Sequence, residues 1–192
     1  MGTTTELLTV DEFLSRLSHD EPVELVDGVV RPMTPTGGAH GLVCGRLVVL
    51  LGRALDVAGQ PSAGVVFTEM AAVRLFRDRE SVRCPDVSVV LAARLLAGGL
   101  PTTGALTVVP DLVAEVLSPA EAAWEVEEKR AEYLAAGVRL VWIVDPRTRA
   151  VTVYRPDAAP IRLTRDDLLS GEPVLPAFRH PVGRLFDGLA AQ

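Results

Sequence analysis

Two charged residues in a mostly apolar stretch are the first candidates for chemistry. Glu115 interrupts the run Pro110–Leu117, and Lys129 is the only lysine in a chain with eighteen arginines. An unpaired carboxylate in a buried strand is costly, so Glu115 needs a cation, a proton or a water-filled cleft. Arginine cannot replace lysine where a compact ammonium is required. The structural alternatives are a buried Glu–Arg pair for Glu115 and a surface ion pair between Lys129 and Glu125.

Further polar residues could share a metal ion with Glu115. Asp86 stands at the start of the apolar run Val87–Val90, where its alternative role is to cap a turn. Glu24 opens an apolar strand and His40 precedes a helix, although both could be surface or capping residues. Mg²⁺ prefers a few hard oxygen ligands and keeps several waters. A lysine beside such an ion can position a water, and help deprotonate it, for attack on a phosphodiester.

Three elements must position Glu115 and Lys129. They are a strand, a helix and a second strand, predicted at 110–117, 120–136 and 139–144. These lengths imply two parallel neighbouring strands joined by a right-handed crossover. Val126 and Tyr133 lie on the helix stripe that faces the sheet, and Lys129 falls between them. The long Lys129 side chain can therefore run along the sheet towards the strand ends.

The remaining pattern predicts a mixed α/β protein. Thr9 and Glu12 have the form of a capping box, and Asp27-Gly28 is typical of a tight hairpin turn. Other helices are predicted at 9–17, 39–58, 91–97 and 165–169, with a weakly amphipathic segment at 182–189. Other strands are predicted at 24–26, 29–30, 64–70, 71–76, 81–90, 151–155 and 161–163. The three runs from 64 to 90 are typical of an antiparallel meander.

Length and composition indicate one domain over residues 1–192, and the pattern of strands indicates a mixed central sheet. The net charge of −6 argues against a protein that coats nucleic acid by bulk attraction. It does not exclude an enzyme whose carboxylates hold divalent cations, because the bound ion reverses the local charge. Cys44 and Cys84 are too few for a disulfide framework or a zinc cluster, which predicts two reduced core thiols. No membrane span or secretory signal is recognisable, so the expected location is the cytoplasm.

Several segments, in order and in register, resemble the Uma-two family of bacterial proteins, which are endonucleases of the PD-(D/E)XK superfamily. These segments are VELVDGVV, TPTGGAHG, RCPDVSVV, PDLVAEVLSP, EKRAEYLAAGV and VWIVDPRTRAVTVYR. The resemblance runs from about Thr9 to the C-terminus. It implies a restriction-endonuclease-like three-layer α/β/α core around a mixed sheet.

The resemblance also implies roles for particular residues. The metal ligands would be Asp86, Glu115 and the backbone carbonyl of Val116, with Mg²⁺, or Mn²⁺ as a substitute. The catalytic set would be Asp86, Glu115, Lys129 and Glu24, supported by His40, Glu125 and Tyr133. The superfamily's usual lysine position, two residues after the glutamate, is here Leu117, and Uma-two proteins carry the lysine on the following helix instead. Glu125 stands where the family commonly has an aspartate.

The resulting hypothesis is a Mg²⁺-dependent endonuclease that acts on nucleic acid, with DNA favoured, as a homodimer without membrane association. Arg74, Arg77, Arg79 and Arg83 form a basic segment that could follow a phosphate backbone, although Asp78 and Glu80 partly offset it. The alternative is a catalytically inactive nuclease-fold module that binds nucleic acid or a protein partner. A two-carboxylate glycoside hydrolase is disfavoured, because aromatic residues are few and the single lysine would have no role.

Overall fold

The computed structural model describes residues 7–16, 22–56, 62–68, 71–75, 81–95 and 100–190. These residues contain three α-helices, α1 to α3, at Val10–Arg16, Gly38–Leu55 and Ala123–Ala135. Their β-strands, β1 to β12 in chain order, are Val23–Val26, Val29–Pro32, Gly64–Thr68, Val73–Leu75, Ser81–Arg83, Val87–Leu91, Leu112–Val116, Leu140–Asp145, Ala150–Tyr154, Ile161–Leu163, Leu168–Gly171 and Leu175–Pro181.

The largest sheet has the strand order β10-β9-β8-β7-β6-β3 and is mixed. Strands β7 and β8 are parallel, with Glu115 opposite Ile143, and α3 connects them. The other neighbouring strands of this sheet run antiparallel. The predicted strand–helix–strand crossover is therefore confirmed, with bounds within three residues of those expected.

The large sheet is covered by a helix on each face. One side of α2 buries Val43, Leu47, Leu51 and Leu55 in a cluster that includes Ala114 of β7. On the opposite face, Tyr133 of α3 packs with Val113 of β7 and Val141 of β8. Both faces of β7 are covered, which explains its nearly continuous apolar sequence. The predicted three-layer α/β/α arrangement is confirmed.

Among the described residues, α2 is the one helix long and apolar enough, by length and composition alone, to cross a membrane. That indication is weak, because the buried side chains of α2 follow the 3.6-residue period of a helix packed on a sheet. They recur at positions 40, 43, 47, 51 and 55. The pattern is that of an amphipathic core helix.

A smaller sheet has the order β2-β1-β5-β4. Its hairpin turns at Asp27 and Gly28, whose φ angles of 48° and 83° confirm the predicted tight turn. Two predictions are wrong here. The single strand expected at 81–90 is divided into β5 and β6, which belong to different sheets, and β3 pairs with β6 rather than with β4. Pro85 lacks a backbone donor, and the break occurs around it, at Cys84-Pro85-Asp86.

Three predictions that concern short helices have different outcomes. Thr9 and Glu12 form the predicted capping box of α1, with bonds of 2.9 Å and 3.2 Å. The helix predicted at 165–169 is wrong, because Leu168 and Leu169 begin β11, which pairs with β12. The helix predicted at 91–97 is a 3₁₀ turn at Ala92–Arg94, and residues 96–99 lie outside the described part of the chain.

Candidate active site

A cleft opens at the end of β7, between the large sheet and the smaller one. Its volume is about 360 Å³, and its walls come from β1, the loop between β2 and α2, the 84–86 connection and α3. Twelve of the eighteen residues that line it are polar or charged: Glu24, Arg31, Thr34, Thr36, His40, Arg83, Asp86, Ser118, Glu121, Glu125, Glu128 and Lys129.

Glu115 lies beneath this cleft on the face of β7 that α3 covers. Its neighbours Ala114 and Val116 point to the opposite face, against α2. Glu115 is 3% exposed. The Tyr133 hydroxyl donates a hydrogen bond of 2.6 Å to Oε1, and Lys129 Nζ lies 3.6 Å from Oε2. The partners of this buried carboxylate are thus a tyrosine and a lysine, rather than the arginine of the structural alternative.

Burial raises the pKa of Glu115 to about 8. The Lys129 ammonium opposes this rise, the Asp86 and Glu24 carboxylates add to it, and the Tyr133 hydrogen bond lowers the pKa. Burial therefore shifts Glu115 towards its protonated form, and the neighbouring Lys129 ammonium shifts it towards the ionised form. An additional positive charge beside it would favour the ionised form.

Lys129 reaches the sheet from the apolar side of α3, as its helical position predicts. Its Nζ lies 3.3 Å from Glu121 Oε1, and its side chain is 18% exposed. Glu115 makes the largest contribution to raising the pKa of Lys129 above its usual value, against the effect of burial, and Glu24, Glu121 and Asp86 add to it. The ammonium therefore stays charged at neutral pH.

Asp86 enters the site from the connection between β5 and β6. Its Oδ2 accepts a hydrogen bond of 2.7 Å from the Val116 N–H and lies 3.1 Å from His40 Nε2. His40 belongs to the first turn of α2 and is 4% exposed. The hydrogen bond to Val116 fixes Asp86 one residue beyond Glu115 at the end of β7. Asp86, His40 and Val116 all line the cleft.

Glu24 is held by Arg83 in a buried network. Arg83 Nη1 donates to Glu24 Oε2 at 2.9 Å, and the Cys84 N–H donates to Oε1 at 2.9 Å. Arg83 is 2% exposed, so its predicted role in a surface patch along a nucleic acid backbone is wrong. Arg74 contacts Asp11 instead, at 3.0 Å, and Arg77 and Arg79 lie outside the described residues.

Two glutamates on α3 complete the network around Arg83, and sequence reasoning missed both. Glu132 Oε2 lies 2.6 Å from Arg83 Nε, and Glu128 Oε2 lies 3.3 Å from Nη2. Glu132 is buried, at 2% exposure. The position of each residue on the helix was the signal that the sequence offered. Glu132 directly precedes the sheet-facing Tyr133, and Glu128 lies one helical turn before Glu132.

Glu125 occupies a different position from the one expected beside the lysine. Its Oε2 accepts a hydrogen bond of 2.9 Å from the Ala122 N–H at the start of α3. A carboxylate there satisfies a free backbone donor and complements the helix dipole. Glu121, which had no predicted role, makes the contact with Lys129 instead.

A sequence model of the Uma2 family, described as "putative restriction endonuclease", matches residues 10–183. The chain belongs to the Uma2 family. This confirms the resemblance drawn from the motifs.

A solved structure supports the same fold for this Uma2 chain. It is a protein of Anabaena variabilis, described as a "putative nuclease belonging to DUF820", with a TM-score of 0.79. The identity is 23%, and the match covers 93% of this chain and 97% of the other. At that identity the likeness shows the fold. No protein of curated function matches the sequence.

The side chains of this Uma2 cleft suit a hard divalent cation. Glu24, Asp86, Glu115 and Glu121 all raise the pKa of one ammonium, that of Lys129, so four carboxylates act on a single lysine. Arg83 already contacts Glu24, which leaves Lys129 beside the carboxyl groups of Asp86, Glu115 and Glu121. Carboxylate oxygens are the ligands that Mg²⁺ prefers. The predicted acids Asp86 and Glu115 are brought to the same strand end, and Glu24 is near them.

The two cysteines of the Uma2 chain differ. Cys84 is a core thiol as predicted, and burial, with Glu24 and Glu115, raises its pKa to about 12. Cys44 is half-buried, and its Sγ lies 3.5 Å from His40 Nδ1. His40, Cys44 and Asp86 each offer a donor atom within 4.8 Å of the other two. Helical spacing of four residues between His40 and Cys44 was the sequence signal for this grouping.

Proposed function

We propose that this Uma2 protein is a Mg²⁺-dependent endonuclease that hydrolyses phosphodiester bonds of DNA, with Mn²⁺ as a substitute ion. The observation that carries the proposal is the buried pair of Glu115 and Lys129, 3.6 Å apart beside a cleft that Asp86 also lines. A buried carboxylate with a raised pKa next to a charged group is a frequent property of functional sites. The family description, "putative restriction endonuclease", supports this reaction class.

The chain's own residues have separable roles in this proposal. Asp86, Glu115 and the Val116 carbonyl would hold the ion, which supplies Lewis-acid polarisation of the phosphate and a lower pKa for bound water. Tyr133 orients Glu115 through its 2.6 Å hydrogen bond, and His40 orients Asp86. Their packing keeps the two carboxylates in position before substrate arrives.

Lys129 would stabilise charge rather than remove a proton. A general base must be unprotonated, and the raised pKa of Lys129 keeps its ammonium charged at neutral pH. A fixed ammonium beside a scissile phosphate stabilises the negative charge that develops in the transition state. The carboxylates around Lys129 therefore favour contact with the phosphate over removal of a proton.

The direct test is nicking of supercoiled plasmid DNA with Mg²⁺, Mn²⁺ or EDTA. Nicking that requires the ion, and that falls by about 100-fold or more in Lys129→Ala, is the expected result. Arg179→Ala is the matched control, because Arg179 is a surface cation paired with Glu172. Equal cutting by wild type and Lys129→Ala would remove Lys129 from the mechanism, and cutting that persists in EDTA would remove the metal.

Two contacts of Lys129 favour a second candidate, an inactive nuclease-fold module that binds nucleic acid or a protein partner. Lys129 is shared between Glu115 and Glu121, so its ammonium is already engaged. Calorimetric titration with Mg²⁺ and Mn²⁺ separates the two candidates. If the protein binds neither ion at millimolar concentration but still binds DNA or a protein partner, the inactive module is favoured.

The proposed assembly is a homodimer that acts in the cytoplasm, where a restriction-type nuclease meets DNA. The outer side of α2 exposes Leu42 and Val49, at 37% and 52%, and could supply apolar contact area. Sedimentation equilibrium of wild type and Val49→Asp tests this assembly. A monomeric wild type would overturn it.

A further inference from the structure

A second group of donor atoms lies on the α2 side of the cleft. His40 and Cys44 are one helical turn apart on α2, and Asp86 faces them from the 84–86 connection. Cys44 has no part in the proposed nuclease mechanism. His40 and Asp86 also line the cleft, so an ion held here would be reached from solvent.

The distances suit a single small ion with three protein ligands. His40 Nε2 lies 3.1 Å from Asp86 Oδ2 and 3.9 Å from Cys44 Sγ, and the three donor atoms lie within 4.8 Å of one another. Ligands of a tetrahedral zinc ion, at bond lengths of about 2.0–2.3 Å, are separated by roughly 3.3–3.8 Å. Small side-chain rotations would bring the three atoms to that spacing.

The donor types select the class of ion. A thiolate, an imidazole nitrogen and a carboxylate oxygen together suit Zn²⁺, Co²⁺ and similar transition metals, whereas Mg²⁺ takes oxygen ligands. We propose that His40, Cys44 and Asp86 form a binding site for a divalent transition-metal ion of the zinc class, with a fourth position open to the cleft. Binding releases the Cys44 thiol proton to solvent, because the ligand is the thiolate.

This site is distinct from the proposed Mg²⁺ site but shares Asp86 with it. An ion held by His40 and Cys44 draws Asp86 towards α2, whereas an ion held by Glu115 draws it towards β7. Zinc-class ions are therefore expected to compete with Mg²⁺ for Asp86. The metal site itself does not depend on nuclease activity, so its test can be read without a substrate.

Co²⁺ is the probe, because a cobalt–thiolate bond gives a near-ultraviolet charge-transfer absorption that carboxylate and imidazole ligands do not give. The full chain would be titrated with Co²⁺ under a non-thiol reductant. Wild type and Cys84→Ser are expected to show the band, and Cys44→Ser to lose it. Added Zn²⁺ should remove the band by displacing Co²⁺.

His40→Gln gives a second, independent reading and should weaken Co²⁺ binding by at least about tenfold, since even residues that only support metal ligands change affinity by that much. Glu115→Gln should retain the band, which separates this site from the proposed Mg²⁺ site. Thermal melts establish that each variant is folded. A band that survives in folded Cys44→Ser, a band lost in folded Cys84→Ser, or no Co²⁺ binding at millimolar ion would each overturn the proposal.

Discussion

Two ion clusters lie side by side along α3 and differ in how fully their cations are engaged. In the arginine cluster, Arg83 contacts the carboxylates of Glu24, Glu128 and Glu132 at 2.9, 3.3 and 2.6 Å. In the lysine cluster, Lys129 contacts Glu115 and Glu121 at 3.6 and 3.3 Å. The Arg83 side chain is 3% exposed and that of Lys129 is 18% exposed.

The differences in contact length and exposure indicate that the arginine cluster is a structural network and that the lysine cluster is available for chemistry. Every nitrogen of the Arg83 guanidinium faces a carboxylate, so this planar group joins the small sheet to α3. Lys129 has longer contacts and borders the cleft, so its ammonium can exchange a carboxylate for a phosphate. We expect the arginine cluster to determine stability and the lysine cluster to determine activity.

The largest expected effect on stability is that of Arg83→Ala. It leaves Glu24 and Glu132 buried without a cation, and breaking a buried ion network by removing one partner costs about 3–5 kcal/mol. Urea denaturation measures the change in the free energy of unfolding. The surface control Arg179→Ala should cost no more than about 1 kcal/mol. A loss of that small size for Arg83→Ala would contradict a structural role for the cluster.

The next effect is on activity and concerns the lysine cluster. Lys129→Gln should reduce plasmid nicking by about 10²–10³, equivalent to about 2.7–4 kcal/mol of transition-state stabilisation. Its effect on unfolding should be smaller than that of Arg83→Ala, because Lys129 has longer contacts and Glu115 can accept a proton. Lys129→Arg restores the charge but not the compact shape and should recover only part of the rate. If Lys129→Gln unfolds as readily as Arg83→Ala, the proposed difference in role between the two clusters is contradicted.

A third effect is pH-dependent and follows from Glu115. Its pKa in the folded protein, about 8, lies above the usual value near 4.5, so the folded state binds a proton more tightly than the unfolded state. Its contribution to stability is complete below about pH 4.5 and is lost as the pH rises through 8, at up to about 1.4 kcal/mol per pH unit. Urea denaturation of metal-free wild type and Glu115→Gln should give curves that diverge over this range. Parallel curves would exclude the raised pKa.

The smallest expected effect is at the rim, where Arg31 contacts Glu128 at 2.6 Å and lies over the Trp124 ring. Both charged side chains are about one-third exposed, at 37% and 30%. Arg31→Ala should cost about 1 kcal/mol or less, and the cost should shrink at high salt. Thermal melts at two salt concentrations measure it. A salt-independent loss would place Arg31 within the buried arginine cluster.

Much of the centre of the fold could be predicted from local patterns. The apolar run of β7, the helical period of α3 and the apolar run of β8 each lie within a short window, and the connection between them allows few arrangements. The same reasoning placed Lys129 between Val126 and Tyr133 and directed it along the sheet towards the strand ends. In the structure its Nζ lies 3.6 Å from Glu115 Oε2.

The sequence predictions were wrong where pairing between segments distant in the sequence determines the structure. Residues 81–90 read as one strand, but β5 pairs with β1 and β4, whereas β6 pairs with β3 and β7. Leu168 and Leu169 read as part of a helix, but their partners lie on β12. Arg83 was interpreted as a surface cation. Its three carboxylate partners come from β1 and α3, so the sequence near Arg83 does not reveal them. The hydrophobic periodicity of a single sequence does not indicate any of these pairings.

The dispersion of the cleft residues has a consequence for protein synthesis. Glu24, Asp86, Glu115 and Lys129 come from four different elements, and β7 is enclosed only when β8 has been added beside it. A nascent chain that ends before α3 has neither the lysine nor the tyrosine that contact Glu115. Because such non-local contacts form late, a partly translated chain carries no assembled centre. The proposed nuclease activity can therefore develop only after translation has passed residue 145.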